Sequence, residues 1–258
     1  MNTSASGLRV LVTAGAAGIG RAIAQTFVEH GAHVHICDVD GKALAEAKRQ
    51  LPSVTQTAAD VANLADVDRL FGDVQRALGG LEVLVNNAGI AGPTAKVEDM
   101  KPEDWDRCIA VDLNGMFYCT RRAMPMIKAA GGGSIINLSS VAGRLGFPLR
   151  TPYAAAKWAV VGFTKSLAIE AGPDKVRVNC LQPGNVEGER IDRVIDAKAK
   201  ALGISSDQMK DRLLESVSLR TFVSPQDIAN MALFLATDAG KHITGQALSV
   251  CGDIRYTV

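Results

Sequence analysis

The feature that most restricts the fold of this chain is a series of short apolar runs separated by segments of helical periodicity. The more hydrophobic runs are nearly continuous rather than alternating, which is typical of strands buried on both faces of a parallel sheet. Such an order predicts a doubly wound α/β fold with seven parallel strands and helices on both faces. The predicted strands cover residues 8–13, 33–38, 53–59, 81–89, 134–140, 176–184 and 246–252.

We interpret residues 1–258 as one domain, because no linker rich in Pro, Gly or Ser divides them and the length suffices for a single large core. The least strand-like stretch, at about 186–225, has the pattern of two amphipathic helices that follow the sixth strand. Ligands of such folds bind beyond the carboxyl ends of the strands. We therefore expect this lid segment, residues 186–225, to cover a substrate.

Charge and hydropathy favour neither nucleic acid nor membrane as a partner. The formal net charge is +1, which gives no preference for a polyanion. The apolar runs are interrupted well before the roughly 18 residues that a membrane span needs, and the opening "MNTSASG" lacks the regions of a signal peptide. An odd number of cysteines, five, fits a reducing compartment, so we expect a cytoplasmic protein.

The cysteines and histidines do not predict a metal site. No two cysteines form a C-x-x-C pair, and their mostly apolar neighbours are typical of small core residues. His33 and His35 alternate along "AHVHICD", which would place both on one face of a strand. We interpret them as partly exposed strand histidines rather than as a pair of metal ligands.

The stretch "TAGAAGIG", residues 13–20, predicts a phosphate-binding turn. It follows the first buried strand and opens a helix, whose first amides are unpaired and attract an anion. Glycines let the backbone approach that anion closely. We therefore expect Gly15, Gly18, Ile19 and Gly20 to contact the pyrophosphate of a dinucleotide, as in a Rossmann fold.

Asp38 predicts which dinucleotide is bound. It ends the second strand, eighteen residues after Gly20, where an acid accepts hydrogen bonds from the adenosine ribose diol. Its carboxylate would repel the 2′-phosphate of NADP, and the neighbours Ala17 and Val39 carry no charge to neutralise that phosphate. The sequence therefore favours NAD.

Several motifs in a fixed order make the chain resemble the short-chain dehydrogenase/reductase family, in its single-domain NAD-dependent branch, over nearly its full length. The resemblance implies that Asp60 and Val61 contact adenine, that Asn87 and Gly89 lie beside the cofactor, and that Pro183 and Val186 lie on its nicotinamide side. The matching motifs are the glycine turn with Thr13, Gly18 and Gly20, "DV" at 60–61, "NNAG" at 86–89, "YAAAK" at 153–157 and "PG" at 183–184.

Two positions depart from the pattern of this family. Ala14 stands where the turn motif has its first glycine, which is displaced here to Gly15. We expect Ala14 to keep a negative φ and Gly15 to take the unusual backbone geometry. Gly188 stands where the family usually has a cofactor-contacting threonine, which leaves the Val186 backbone to bind the carboxamide.

The spacing of "YAAAK" places Tyr153 and Lys157 on one face of a helix. The resemblance implies that Tyr153 is the general acid/base, that Lys157 binds the nicotinamide ribose, and that Ser140, thirteen residues before the tyrosine, orients the substrate oxygen. The resemblance thus assigns the orienting role to Ser140 rather than to Ser139. Asn114, in "VDLNGMF", is matched to the helix asparagine that holds a proton-relaying water beside the lysine.

Arginines near these residues suggest an anionic substrate. Arg144 and Arg150 lie between Ser140 and Tyr153, and Arg190 lies at the start of the lid segment. Guanidinium groups bind carboxylates, phosphates and sulfonates through paired hydrogen bonds. The alternative, that these are solvated charges paired with nearby glutamates, stays open.

The resemblance predicts an enzyme that transfers a hydride between NAD and a secondary alcohol or sugar hydroxyl, and it implies a homotetramer. A 3-oxoacyl-carrier-protein reductase is an alternative; such relatives usually prefer NADPH, which Asp38 disfavours. A non-catalytic dinucleotide sensor is an alternative of another class, but it has no need for Ser140, Tyr153 and Lys157 in register.

Overall fold

A single parallel sheet forms the centre of the computed structural model, which describes residues 3–257. Its strand order is β3-β2-β1-β4-β5-β6-β7, and every neighbouring pair is parallel. The predicted seven-stranded doubly wound sheet is therefore confirmed. The strands are β1 Arg9–Thr13, β2 His33–Asp38, β3 Thr55–Ala58, β4 Val83–Asn86, β5 Gly133–Leu138, β6 Val176–Pro183 and β7 Ala247–Val250.

Helices cover both faces of the sheet. One face is closed by α1, α2 and α9, whose apolar residues pack into one core cluster with β1 and β2, and the other by α3, α5 and α6. None of the helices in the described range has the length and apolar character needed to cross a bilayer. The helices are α1 Gly18–Glu29, α2 Gly41–Gln50, α3 Leu64–Leu78, α4 Pro102–Ile109, α5 Gly115–Ala129, α6 Thr151–Ala171, α7 Glu189–Leu202, α8 Ser206–Glu215 and α9 Pro225–Ala236.

The strand order reverses between β1 and β4. From β1 the chain proceeds outward through β2 and β3, and then crosses back to place β4 on the other side of β1. The loops that leave the carboxyl ends of β1 and β4 consequently diverge and open a crevice, which is the usual ligand site of this architecture. Both "TAGAAGIG" and "NNAG" lie at this crevice.

The stretch "DWDRCIAVDLNGMFYCTRRAMPMIKAA" forms two helices separated by a π-helical segment. Helix α4 ends at Ile109, residues Ala110–Asn114 form one wider turn, and α5 begins at Gly115. Close packing at Gly115 accompanies this turn, because a Cβ there would lie 2.7 Å from Val61 Cγ2. Such π-turns shift the direction of the side chains they carry and are frequent at functional sites.

The lid segment contains two helices, α7 and α8, with a small core of their own. Ile195 and Ala199 of α7 pack against Met209 and Leu213 of α8, and all four side chains are buried. Helix α8 begins with a capping box, in which Ser205 and Gln208 satisfy each other's backbone amides. The two helices thus form a defined unit after β6.

Candidate active site

The turn after β1 has the geometry of an anion-binding site. Helix α1 begins at Gly18, and the residue before it, Ala17, supplies no side-chain cap to the first amides of the helix. These amides are therefore available to donate hydrogen bonds to solvent or to a ligand. The partial positive charge at the start of the helix favours an anion as that ligand. Gly18 itself has a φ of 52°, which glycine adopts without strain.

Two further glycines of the turn are required by close packing. A Cβ on Gly20 would overlap the carbonyl oxygen of Ala14 and approach Asn87, and one on Gly15 would lie 2.7 Å from Ile36 Cγ2. Asn87 fixes the turn, since its Nδ2 donates to the carbonyls of Thr13, at 2.9 Å, and Ala14, at 3.0 Å. The second residue of "NNAG" thereby holds the turn against the end of β4.

The predicted backbone geometry of Ala14 is wrong. Ala14 has a φ of 48°, whereas Gly15 does not adopt a positive φ. The tertiary hydrogen bonds explain the difference, because the amide of Gly15 donates to the Cys37 carbonyl at 2.9 Å while the Ala14 carbonyl accepts from Asn87. These bonds fix the left-handed residue at position 14 irrespective of which side chain stands there.

Asp38 lies at the end of β2, beside the glycine turn. Its carboxylate accepts hydrogen bonds from the amides of Ala16, at 3.4 Å, and Asp40, at 3.1 Å. The side chain is half-buried. An acidic acceptor beside an open helix N-terminus fits the ribose and pyrophosphate of a dinucleotide.

The residues matched to the adenine contact are already engaged within the protein. Asp60 accepts from the amide of Ala62 at 2.9 Å and forms an ion pair with Arg107 at 2.9 Å. Val61 is buried against Gly115. Their contact with an adenine ring stays a prediction.

Tyr153 and Lys157 share one face of α6, with the Lys157 ammonium 5.5 Å from the centre of the tyrosine ring. Lys157 is buried, and its Nζ donates to the carbonyl of Leu138, the last residue of β5, at 3.0 Å. This bond ties the helix to the carboxyl edge of the sheet. Tyr153 is half-buried beside it.

The two serines that follow β5 have different partners. The Ser139 hydroxyl donates to the Lys157 carbonyl at 2.8 Å, so its proton is already used in a hydrogen bond to the backbone of α6. The Ser140 hydroxyl instead accepts from the amide of Ala142 at 3.2 Å, which leaves its proton available to a substrate oxygen. The geometry therefore favours Ser140 as the substrate-orienting serine.

Asp112, a residue that the sequence analysis missed, lies beside Lys157. Its Oδ2 is 3.4 Å from Lys157 Nζ, and its Oδ1 accepts from the amide of Ile90 at 2.6 Å. The side chain is fully buried, and Oδ2 makes no hydrogen bond among residues 3–257. Gly89 packs against the pair, because a Cβ there would lie 3.3 Å from both Asp112 Oδ1 and Lys157 Nζ.

The predicted role of Asn114 stays a prediction. The contact with Lys157 that the structure shows from this segment is made by Asp112. Residues two apart on a helix face different directions, so only one of the two polar residues in "VDLNG" can face Lys157, and the π-turn selects the first. The one sequence feature that could have indicated a buried role for Asp112 is that it stands between apolar neighbours.

A pocket of about 550 Å³ adjoins this site. It is lined by the segment 89–94 after β4, by Asp104 and Arg107 of α4, by Arg150, and by the first turns of α7. Arg150 is buried, and its guanidinium carbon lies 5.1 Å from the centre of the Tyr153 ring. The guanidinium carbon of Arg190 lies 6.0 Å from the same ring, and its Nη1 donates to the Gly89 carbonyl at 3.1 Å.

Arg144 lies elsewhere than predicted. Its Nη2 donates to the carbonyl of Ile254 at 3.0 Å and lies 3.8 Å from Cys251 Sγ, and it does not line the pocket. Arg144 therefore holds the C-terminal segment against the turn after β5. Of the three arginines predicted to hold a substrate, the pocket brings together Arg150 and Arg190.

The predicted nicotinamide side leads directly from β6 into the lid segment. Pro183 is the last residue of β6, and Val186 forms a parallel bridge with Val223, just before α9. Gly188 has a φ of 125° at the start of α7, a conformation that a threonine would adopt only with strain. Backbone geometry therefore accounts for the departure from the usual threonine.

Comparison with known proteins gives matches along nearly the whole chain. A family model described as enoyl-(acyl carrier protein) reductase matches residues 14–252. The 3-oxoacyl-[acyl-carrier-protein] reductase FabG of Chlamydia muridarum is 38% identical, over 98% of this chain and 99% of that protein. FabG of Staphylococcus aureus strain Mu50 is 36% identical, over 94% and 96%.

Solved structures of similar fold bind different nicotinamide cofactors. The crystal structure of NAD⁺-bound xylitol dehydrogenase has a TM-score of 0.93 and 26% identity, covering 96% of this chain and 99% of that one. The L-sorbose reductase of Gluconobacter frateurii, complexed with NADPH and L-sorbose, has a TM-score of 0.92 and 29% identity over 100% of both chains. The identity of the cofactor must therefore be argued from this chain's own residues.

Proposed function

The chain belongs to the short-chain dehydrogenase/reductase family, and from that premise we propose that it is an NAD-dependent oxidoreductase that acts on a secondary alcohol or a sugar hydroxyl. The observation that carries this proposal is the anchoring of Tyr153 and Lys157 at the edge of the sheet. Lys157 is bound to the end of β5, and its ammonium lies 5.5 Å from the tyrosine ring. A phenol and an ammonium are thereby fixed beside the cofactor crevice.

The protein residues move the proton that accompanies hydride transfer. A bound NAD would supply the hydride acceptor for oxidation and, in its reduced form, the hydride donor for reduction. Tyr153 takes the hydroxyl proton during oxidation and returns it during reduction, and the positive charge of Lys157 stabilises the phenolate. Ser140 donates a hydrogen bond to the reacting oxygen and fixes its position.

Asp38 supports NAD rather than NADP. Its carboxylate accepts two amide hydrogen bonds at the end of β2, and so it is held where the adenosine ribose would lie. The 2′- and 3′-hydroxyls can donate to this acceptor, whereas a 2′-phosphate would be repelled. We place the pyrophosphate at the start of α1, with Gly15, Gly18, Ile19 and Gly20.

A 3-oxoacyl-[acyl-carrier-protein] reductase is the second candidate, favoured by the names of the relatives at 36–38% identity. Both activities use the same tyrosine, lysine and serine, so these residues do not separate them. The pocket does not separate them either, because its lining combines arginines with apolar residues such as Ile90, Pro93 and Val194, which could accommodate an acyl chain.

The test of the proposed function is absorbance at the reduced nicotinamide band. Purified protein would be supplied with NAD⁺ and a panel of secondary alcohols, sugars and hydroxy acids, and in parallel with NADH and the matching ketones and 3-oxoacyl thioesters. We expect NADH formation with at least one hydroxyl substrate. Cofactor binding without turnover on any member of the panel would support the dinucleotide sensor instead.

A homotetramer is part of this proposal. Phe117 of α5 and Trp158 of α6 are 46% and 51% exposed, on the two helices through which the resemblance predicts subunits to pair. Large exposed apolar side chains of this kind favour an interface. Light scattering coupled to size exclusion would give the mass of four chains, and the mass of one chain would contradict the assembly.

A reducing compartment, such as the cytoplasm, agrees with the cysteines. All five are free and buried. Burial raises the pKa of Cys37 to about 12 and that of Cys108 to about 11, which keeps these thiols protonated and unreactive.

A further inference from the structure

Two arginines from distant parts of the sequence flank the ring of Tyr153. Arg150 precedes α6 and Arg190 lies in the first turn of α7. Their guanidinium carbons are 5.1 Å and 6.0 Å from the centre of the tyrosine ring. Both line the same pocket of about 550 Å³, so the structure brings two guanidinium groups to the place where a substrate would meet the tyrosine.

These two arginines lack the carboxylate partners that the other pocket arginines have. Arg107 is paired with Asp60 and Arg193 with Glu189. In the described part of the chain, no carboxylate oxygen lies within the 4.0 Å of an ion pair from Arg150 or Arg190. The pocket arginines that have no ion-pair partner within the described residues are therefore the two beside Tyr153.

The environment of Arg150 shows that this charge is held at a cost. Arg150 is only 3% exposed. Its Nη2 donates to the Ala91 carbonyl, whereas its Nε has no hydrogen-bond partner within residues 3–257. Burying a charged group without a counter-charge is unfavourable, and an anion bound beside it offsets that cost.

The ionisation of the neighbouring groups agrees with a concentrated positive field. Burial lowers the pKa of Arg150, but a guanidinium remains protonated at neutral pH. Burial and the charge of Arg150 lower the pKa of Lys198, on α7, to about 8. Lys198 Nζ lies 4.6 Å from the centre of the Phe147 ring, a ring that Arg150 also contacts.

We propose that Arg150 and Arg190 form an anion subsite, which makes the substrate a small hydroxy or oxo acid whose carboxylate, sulfonate or phosphonate lies only a few bonds from the reacting carbon. This inference rests on the proposed function, since it assigns the substrate class of the same site. Planar guanidinium groups bind such oxyanions through paired, charge-assisted hydrogen bonds. Arg107 and Arg193, which are already neutralised, take no part.

Matched pairs of probes test the subsite. Acetoacetate and its neutral methyl ester carry almost the same ketone but differ in charge. Acetonylphosphonate and acetonylsulfonate, compared with acetoacetate, show whether the subsite prefers a phosphonate, a sulfonate or a carboxylate. With NADH we expect kcat/KM for the best anionic probe to exceed that for methyl acetoacetate by about 10–150-fold, the range of a lost hydrogen bond to a charged group. Arg190→Gln should remove most of this advantage and change the methyl ester by less than about threefold.

Arg193→Gln is the matched control, because it removes a paired arginine from the same turns of α7. It should leave the preference for anions unchanged. Arg150→Lys and Arg150→Gln extend the test to the buried position, and circular dichroism establishes that each variant is folded. Equal turnover of acid and ester by the wild type, or equal losses for both in Arg190→Gln, would overturn the subsite.

Calorimetric titration of the same probes into the enzyme–NADH complex measures binding to the subsite independently of turnover. Tighter binding of an anionic probe to the wild type than to Arg190→Gln supports the subsite even where turnover is absent. An absence of turnover on every oxo compound would then contradict the proposed activity alone. An absence of any anion preference in binding, with ketone reduction intact, would contradict the subsite alone.

Discussion

Asp112 Oδ2 lies 3.4 Å from Lys157 Nζ, and both side chains are almost completely enclosed. The carboxylate offsets part of the charge that Lys157 presents to Tyr153. Asp112 also accepts a hydrogen bond from the Ile90 amide, so it ties the π-turn to the loop that follows "NNAG". We infer that Asp112 is a positioning residue for the lysine.

The first prediction concerns this pair. Asp112→Asn keeps the shape and the acceptor for Ile90 but removes the charge, so Lys157 acts on the phenolate without compensation. We expect a loss of about 2 kcal/mol in the free energy of unfolding, measured in urea, because the buried ammonium of Lys157 is left without its ion-pair partner. Asn114→Ala serves as the control, and a larger loss of stability in Asn114→Ala than in Asp112→Asn would contradict the assignment.

Tyr153→Phe tests the proton-transfer step. The phenylalanine ring retains the contact with Phe147, so the fold and NADH binding should be preserved, while kcat should fall by about 10³-fold or more. Ser140→Ala should lose far more activity than Ser139→Ala, whose hydroxyl is bonded to the backbone. Steady-state kinetics with NADH fluorescence would measure both effects, and substantial turnover by Tyr153→Phe would refute its role.

Asp38 is expected to decide the cofactor. The wild type should bind NADH at least about tenfold more tightly than NADPH, which corresponds to about 1.4 kcal/mol. Asp38→Ser should narrow or reverse this ratio because the repulsion of the 2′-phosphate is removed. Asp40→Ala, which removes the cap of α2, should leave the ratio unchanged while lowering stability by about 1 kcal/mol. Tighter NADPH binding by the wild type would contradict NAD.

Ala14→Gly should stabilise the protein. The left-handed conformation at position 14, with a φ of 48°, costs alanine about 1–2 kcal/mol, and glycine removes this strain while adding chain entropy to the unfolded state. We expect a net gain of about 0.5–1 kcal/mol in the free energy of unfolding, measured in urea. Ala16→Gly, at a buried position of the same turn without a positive φ, should destabilise.

His35 should make stability depend on pH, and its burial corrects the expectation of a partly exposed residue. Burial lowers its pKa from 6.5 to about 4, and its ring nitrogens bond to the hydroxyls of Thr55 and Thr57 at 2.8 and 3.0 Å. Between these pH values the unfolded chain binds the extra proton. Stability is therefore complete above pH 6.5 and decreases as the pH falls towards 4, by at most about 3 kcal/mol.

Urea unfolding at a series of pH values would show this dependence. His35→Gln should flatten the curve between pH 6.5 and 4 relative to the wild type. His33→Gln, at an exposed position of the same strand, should follow the wild type. Identical slopes for the wild type and His35→Gln would show that another group is responsible.

Much of the fold was available from local patterns. Six of the seven predicted strands contain the observed one, and the fifth overlaps β5, which begins one residue earlier, at Gly133. The phosphate turn, Asp38 and the Tyr153–Lys157 pair lie at the predicted edge of the sheet. Continuous apolar runs must be buried on both faces, and helices must bury one face, so few architectures satisfy the sequence. The order of the motifs along the chain then places them at one crevice.

The remaining features depend on contacts between residues far apart in the chain. Ala14 is left-handed because Asn87 and Cys37 bind the turn, and Asp112 faces Lys157 because a π-turn changes the phase of its helix. Arg150 and Arg190 meet at Tyr153 although forty positions separate them. The sequence by itself determined which elements form and which chemical groups they carry, since periodicity and spacing are local properties. Only the tertiary structure decided which side chains face one another, because that direction is set by long-range hydrogen bonds and packing.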